Sequence, residues 1–130
     1  MYHFTAIVTL LAVLVYFLTS INVARARAAY GVKAPAMSGH PDFERAFRVQ
    51  MNTLEWMPIF LPSLWLFAIY IGDAIAAGIG VVWIVGRILY FIGYSKAAEK
   101  RSAGFTVQAL ASMALWAGAL GAALWRLLHG

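Results

Sequence analysis

The chain has 130 residues, of which 63% are hydrophobic and 12% charged, with a net charge of +5 and a mean hydropathy of +0.78. A soluble domain carries roughly 25% charged residues, so the composition excludes an ordinary soluble protein and predicts an integral membrane protein. The chain has no cysteine, which excludes disulfides, thiolate metal ligands and a cysteine nucleophile. His3, His40 and His129 are far apart in sequence, so we expect no metal site.

The first apolar segment, residues 4–24, contains no charged residue. A spanning helix needs roughly 20 such residues. A signal peptide carries its basic residues before the apolar run, whereas here Arg25 and Arg27 follow it. We therefore predict a retained spanning helix over about residues 4–28. It leads into a polar connection in which four residues oppose a continuous helix, namely Gly31, Pro35, Gly39 and Pro41.

Three further helices are predicted downstream. Pro41 suits a first helical turn, and Asp42 and Glu44 are favourable near the positive end of a helix dipole. The second helix is predicted over about residues 41–71, the third over about 74–99 and the fourth over about 103–128. We expect residues 1–130 to form a single membrane domain, an all-α bundle of four transmembrane helices. Small residues in the last two helices favour close packing.

The basic residues are unevenly distributed. Eight of the ten lie in or beside the first and third connections: Arg25, Arg27, Lys33, Arg45, Arg48, Lys96, Lys100 and Arg101. Basic residues flank the cytoplasmic ends of membrane helices. Both connections are therefore predicted in the cytoplasm, and both termini on the other side of the membrane.

Two polar stripes run along the predicted helices. On the second helix, the stripe spans about 80° of the surface and comprises Glu44, Arg48, Asn52 and Glu55. On the third, it spans about 60° and comprises Arg87, Tyr90, Tyr94 and Arg101. An ionisable residue costs roughly 2.5–3.5 kcal/mol in the membrane interior. Both stripes are therefore expected to face the protein interior or a wet cavity.

The stripes permit two interpretations. Pairs such as Arg48 and Glu55 could satisfy one another and lock the second helix against the third. Alternatively, the stripes bind a small zwitterionic ligand. Arginines would bind its carboxylates, Glu55 its ammonium group and Asn52 its peptide groups.

The segments ERAFRVQMNTLEWMPIFLPSLW and GRILYFIGYSKAAEKR resemble the MAPEG family, the membrane-associated proteins in eicosanoid and glutathione metabolism. The first follows the pattern E-R-x-x-R-x-Q-x-N-x-x-E-[YFW]-x-P. The second follows R-x-x-Y-x-x-G-Y with a basic residue seven positions later. Hydropathy and connection lengths also fit over nearly the whole chain.

The resemblance implies a homotrimer that binds glutathione between protomers near the cytoplasmic face. One protomer would contribute Arg48, Asn52, Glu55, Trp56, Tyr90, Tyr94 and Arg101. Its neighbour would contribute Arg27 and Gln50. Because Gln50 points about 160° away from Asn52 on the helix, one ligand can contact both only if an adjacent chain takes part. The family usually has tyrosine where this chain has Trp56, and its paired arginines are split here as Arg25 and Arg27, of which ungapped counting favours Arg27.

The resemblance further implies that Arg101 activates the thiol of glutathione, because a guanidinium favours the thiolate form. The co-substrate would be a lipophilic electrophile or a lipid hydroperoxide from the bilayer. Leu89, where the synthase-like pattern has a basic residue, favours a general glutathione transferase with a role in detoxification. A bacterial inner membrane is the expected location, with the site facing the cytoplasm.

Two other functions remain open from the sequence. One is a non-enzymatic scaffold on the same fold that binds lipid or glutathione, although Arg101 and the full polar stripe argue against it. The other is a small multidrug transporter, which usually needs a carboxylate in its first helix. Residues 4–24 contain none.

Overall fold

The computed structural model of the chain describes residues 1–96 and 102–130, and the side chains of residues 1–94 and 102–130. Within these ranges the chain forms four α-helices: α1 (His3–Tyr30), α2 (Pro41–Tyr70), α3 (Asp73–Lys96) and α4 (Ser102–His129). Each is long and apolar enough to cross a membrane. The prediction of an all-helical protein with four candidate spans is confirmed, whereas the predicted end of the third helix, residues 97–99, lies outside the described residues.

The helices form a bundle in which α2 and α3 are central. Each contacts the other, and both contact α1 and α4. At the centre, the ring of Phe60 on α2 stacks on Trp83 of α3, with the ring centroids 3.9 Å apart. Large apolar side chains cover the outside of all four helices, for example Leu10, Ile69, Val85 and Trp125. A surface of this kind is stable in contact with lipid, so the chain is a multi-pass integral membrane protein.

The first helix is longer than predicted and ends at Tyr30. Arg25 and Arg27 lie in its last turns, as the predicted bounds already placed them. Gly31 ends the helix in a left-handed conformation (φ 67°), and the N–H of Val32 donates to the carbonyl of Arg27 at 3.1 Å. Glycine closes helices in this way because it lacks a Cβ, and the alanines of this segment favour helix up to that point.

The second helix begins where Pro41 was expected to place it. The ring Nδ1 of His40 accepts a hydrogen bond from the N–H of Asp42 at 3.1 Å and caps the first turn. The helix then continues without interruption through Pro58 and Pro62 to Tyr70. The polar first half and the apolar second half of α2 therefore belong to one continuous helix.

The short α2–α3 turn is joined to the start of α1 through Asp73. Its carboxylate accepts hydrogen bonds from the N–H groups of Thr5, at 2.8 Å, and Phe4, at 3.1 Å. These are N–H groups that a helix leaves unsatisfied at its first turn. Asp73 therefore caps α1 from another part of the chain, while also lying in the first turn of α3.

The backbones of α3 and α4 touch at Gly86 and Gly104. A Cβ added to Gly104 would lie 2.7 Å from the carbonyl oxygen of Gly86, and one added to Gly86 would lie 2.6 Å from the backbone nitrogen of Gln108. Neither position has room for a side chain. The contact fixes how α3 and α4 are aligned, and it places Tyr90 beside Phe105.

Candidate functional site

A cavity of about 450 Å³ lies where α2, α3 and the first turns of α4 meet. Its lining is mostly polar or aromatic and consists of Asn52, Tyr90, Ser102, Phe105 and Thr106. Two of these residues, Asn52 and Tyr90, belong to the two polar stripes identified in the sequence. The fold therefore brings the stripes of α2 and α3 to one cavity.

Arg87 lies behind this cavity and is almost completely buried, with 1% of its surface exposed. Its Nη1 donates to Oδ1 of Asn52 at 2.8 Å, and its Nη2 donates to Oγ1 of Thr53 at 2.6 Å. The guanidinium also lies 4.5 Å from the ring centroid of Tyr90. Arg87 thus links α3 to α2 through hydrogen bonds to neutral groups.

Aromatic rings from α2, α3 and α4 contact one another at and beside the cavity. The ring centroid of Tyr90 lies 5.5 Å from that of Tyr94 and 5.9 Å from that of Phe105. The ring of Trp56 meets Phe105 edge-on at 5.6 Å. Tyr90 and Tyr94 are both buried. Trp56, Tyr90 and Tyr94, which the resemblance assigned to one ligand, therefore belong to one series of ring contacts, in which Phe105 joins Trp56 to Tyr90 and Tyr90 contacts Tyr94.

Arg48 and Glu55 occupy the same stripe of α2 but are exposed. Across the described ranges, the only ion pair joins Arg45 to Asp42, one turn apart on α2. The interpretation in which Arg48 pairs with Glu55 to lock α2 against α3 is therefore wrong. Arg87 joins α3 to α2 instead, and among the described residues neither Arg48 nor Glu55 has an ion-pair partner.

Arg27 and Gln50 face other parts of the protomer. Nε2 of Gln50 donates to Oγ of Ser20 on α1 at 3.0 Å, while Asn52 faces α3. Nη1 of Arg27 donates to the carbonyl of Ala36 at 2.8 Å. The opposite directions of Gln50 and Asn52 agree with the helical spacing. Within one protomer, neither Arg27 nor Gln50 lines the cavity that contains Asn52.

Arg101, the predicted catalytic residue, lies outside the described residues. The residue that follows it, Ser102, lines the cavity with Phe105 and Thr106, and sequence reasoning missed all three. The available signal was their spacing. Positions 102, 105 and 106 share one face of a helix, and Ser102 and Thr106 are polar residues in an otherwise apolar segment.

A second polar cavity, of about 430 Å³, lies between α1 and α2. Its charged lining residues are Arg25, Asp42 and Arg45. The ion pair of Asp42 and Arg45 already satisfies two of these charges. Tyr30 also lines this cavity, which is of similar size to the first one.

Among residues 1–96 and 102–130, no three histidine, aspartate or glutamate side chains are grouped so that they could hold a metal ion. The polar groups that line the first cavity are the carboxamide of Asn52, the phenol of Tyr90 and the hydroxyls of Ser102 and Thr106. These groups bind carboxylates and peptide groups well.

The fold and the site together define a class: a four-helix membrane protein in which α2, α3 and α4 line a cavity with a carboxamide, a phenol and hydroxyl groups. The sequence model of the MAPEG family matches residues 5–121. The chain belongs to the MAPEG family.

Similar proteins come from bacteria and mammals. An uncharacterised protein of Synechocystis sp. is 57% identical over 122 residues, 94% of this chain and 89% of the relative. Human microsomal glutathione S-transferase 2 is 44% identical over 105 residues, 80% of this chain and 71% of the relative. Leukotriene C4 synthase of Cavia porcellus is 41% identical over 111 residues, 85% of this chain and 72% of the relative.

Proposed function

We propose that this protein is a membrane-bound glutathione transferase that attacks lipophilic electrophiles with the thiolate of glutathione. The observation that carries the proposal is the cavity between α2, α3 and α4, to which Asn52 and Tyr90 both contribute. Membership of the MAPEG family and the names of the human and guinea-pig relatives support it.

Each part of glutathione has a candidate partner. Arg48 is an exposed cation next to the cavity residue Asn52 on the α2 stripe, and suits a carboxylate. Glu55 is an exposed carboxylate on the same stripe and suits the ammonium group. Asn52 suits a peptide group, and Tyr90 and Tyr94 supply phenols. Trp56 provides an aromatic surface through its contact with Phe105.

Arg101 is proposed as the catalytic residue because a guanidinium beside the sulfur stabilises the thiolate. Lowering the pKa of the thiol by two units requires about 2.7 kcal/mol, which one partly desolvated cation can supply. The thiolate forms a carbon–sulfur bond with the electrophile, and the leaving group departs with its electron pair. With a lipid hydroperoxide, two molecules of glutathione are oxidised to the disulfide, and the hydroperoxide is reduced to the alcohol and water.

The complete site is proposed to form in a homotrimer. Gln50 and Asn52 face different helices, so a ligand that contacts both requires a second protomer. Arg27 would also come from that neighbour. The positive-inside distribution of basic residues supports a site that faces the cytoplasm, and the similarity to a Synechocystis protein is compatible with a bacterial membrane.

The test is an ultraviolet difference spectrum of the purified protein titrated with glutathione at neutral pH. We expect a saturable thiolate band that disappears in Arg101→Ala, with glutathione affinity changed by no more than a few-fold. Lys100→Ala removes the adjacent cation and is the matched control, which is expected to keep the band. Turnover of chlorodinitrobenzene and of a lipid hydroperoxide is measured on the same three proteins.

The outcomes separate the alternatives. A thiolate band without turnover of either substrate would support activation of the thiol but contradict the proposed class of electrophile. Binding without a thiolate band would indicate the non-enzymatic scaffold. No glutathione binding at all would contradict the proposal, and proton-coupled export by vesicles would then indicate the transporter.

A further inference from the structure

The buried Arg87 has no evident role in the chemistry proposed above, and its position is costly. A charged side chain within a membrane helix costs roughly 2.5–3.5 kcal/mol even on the more lenient scale. In the described part of the chain, Arg87 has no carboxylate partner. Its two hydrogen-bond acceptors are both neutral side chains of α2. An arginine retained at such a cost requires an explanation beyond charge pairing.

The first acceptor, Thr53, is itself fixed. Its hydroxyl donates to the carbonyl of Val49 at 2.7 Å, so its proton is used within α2 and its lone pair receives Arg87. Thr53 is 1% exposed and lies away from the ligand cavity. It anchors the guanidinium but presents nothing to a ligand.

The second acceptor, Asn52, does line the cavity. A guanidinium has only donors, so the atom of Asn52 that meets Arg87 must be the carbonyl oxygen Oδ1 and not the amide nitrogen. The two atoms of a carboxamide lie on opposite sides of its carbon. With Oδ1 held by Arg87, Nδ2 is the atom left for the cavity, and within residues 1–94 and 102–130 it has no hydrogen-bond partner.

We propose that Arg87 is a positioning residue that fixes the Asn52 carboxamide so that only its NH₂ group faces the ligand. The site then selects a hydrogen-bond acceptor at this point, a carboxylate or peptide carbonyl oxygen, and rejects a donor. This inference deepens the proposed function and rests on glutathione, or a peptide-like thiol of the same chemistry, being the ligand.

The central experiment compares glutathione affinity in three variants by isothermal titration. Asn52→Asp keeps an acceptor for Arg87 but replaces the cavity-facing NH₂ with an oxygen. We expect thermal stability that is no lower than that of the wild type and a glutathione Kd at least tenfold weaker, because the donor to the ligand is lost. An unchanged Kd in Asn52→Asp would overturn the proposal.

Arg87→Met removes the guanidinium and leaves an unbranched, apolar and shorter side chain, so the carboxamide is free to rotate. The expected result is a Kd about tenfold weaker, with kcat at saturating glutathione within about twofold. Thr53→Val is the matched control, since it removes the other acceptor of Arg87 at the same depth. It should lower thermal stability while leaving Kd within about twofold. Equal losses of affinity in Arg87→Met and Thr53→Val would indicate a purely structural role and overturn the proposal.

A second measurement does not depend on glutathione. The chain contains two asparagines, Asn22 and Asn52, so asparagine labelled with ¹⁵N at the side-chain amide gives two pairs of signals. Asn52→Asp assigns them by removing one pair. We expect the NH₂ protons of Asn52 to show contact with water in the wild type, and their signals to broaden or double in Arg87→Met.

The two proposals fail in different ways. NH₂ protons of Asn52 that are shielded from water, or unchanged in Arg87→Met, would overturn the positioning role whatever the ligand is. Wild-type protein with the expected NH₂ signals but no affinity for glutathione would contradict the proposed function alone. The acceptor-selecting site would then belong to another ligand of the same chemistry.

Discussion

The two halves of the bundle are stabilised by different kinds of contact. The half beside the α2–α3 turn is apolar and closely packed, with Phe60 stacked on Trp83 and with Asp73 holding the start of α1. The half that contains the cavity buries Arg87, Thr53 and Tyr90. Apolar packing alone would make a more stable second half, because buried polar groups are costly unless satisfied. The difference agrees with the proposed function, in which the first half supports the fold and the second half binds the ligand.

The largest expected effect on stability comes from Phe60→Ala in the apolar half. Phe60 is fully buried, and replacing a buried aromatic residue by alanine costs about 3 kcal/mol or more. Phe17→Ala, at a position that is 60% exposed to the lipid side, is the control and should change stability much less. Thermal unfolding in detergent measures both. If Phe60→Ala weakened glutathione binding in the folded protein by more than about twofold, the two halves would not have the separate roles described above.

The next effect is expected from Gly104→Ala, which forces apart α3 and α4 at the edge of the cavity. A Cβ there would lie 2.7 Å from Gly86 O, and overpacking of this kind costs about 1–3 kcal/mol. Unlike Phe60→Ala, this change should also weaken glutathione binding, because Tyr90 and Phe105 move with the two helices. Gly121→Ala on the same helix meets nothing within 4 Å and should be neutral in both assays.

A smaller loss is expected when Asp73 is changed. Asp73→Ala removes both acceptors for the first turn of α1, whereas Asp73→Asn keeps one neutral acceptor. The melting temperature should therefore fall in Asp73→Ala and fall less in Asp73→Asn. Glutathione Kd should stay constant in both, since the residue lies at the other end of the bundle. Equal melting temperatures for the wild type and Asp73→Ala would show that the cap contributes nothing.

The smallest effect is expected at the ion pair in the second polar cavity. Arg45 and Asp42 are partly exposed, with 28% and 41% of their side-chain surfaces accessible, and such pairs contribute about 0–1 kcal/mol. Arg45→Gln should therefore leave stability almost unchanged and glutathione Kd within about twofold. A large loss of affinity would mean that glutathione binds between α1 and α2 and not in the cavity of Asn52.

The sequence was sufficient to predict the four spans, because each is a long apolar segment that ends at a Gly, a Pro or a charged residue. It also predicted that Gln50 and Asn52 face opposite ways, since this follows from helical geometry alone. The two polar stripes also predicted that Asn52 and Tyr90 face one cavity. They did not predict the side-chain contacts between the helices, such as those of Arg87 with Asn52 and Thr53. Periodicity shows which face of a helix a residue occupies and not which residue it meets.

Three features depended on such pairings and could not be predicted. Arg87 was placed in a stripe, but its bonds to Asn52 and Thr53 depend on how α2 and α3 are aligned. Asp73 was interpreted only as part of a break, since the residues it caps lie almost seventy positions earlier. The alignment of α3 and α4 depends on the contact of Gly86 with Gly104, whereas a Cβ added at Gly78 or Gly121 in the same helices would meet nothing within 4 Å.

Arg87 also has a consequence for how the protein is made. As α3 leaves the ribosome and enters the membrane, its guanidinium needs acceptors, and these belong to Asn52 and Thr53 of α2, which has just been synthesised. Only two residues separate α2 from α3. The two helices are therefore expected to insert together as a hairpin, with Asn52 already oriented. The last helix, α4, would then arrive to complete the cavity with Ser102, Phe105 and Thr106, so that synthesis order is also the order in which the site is built.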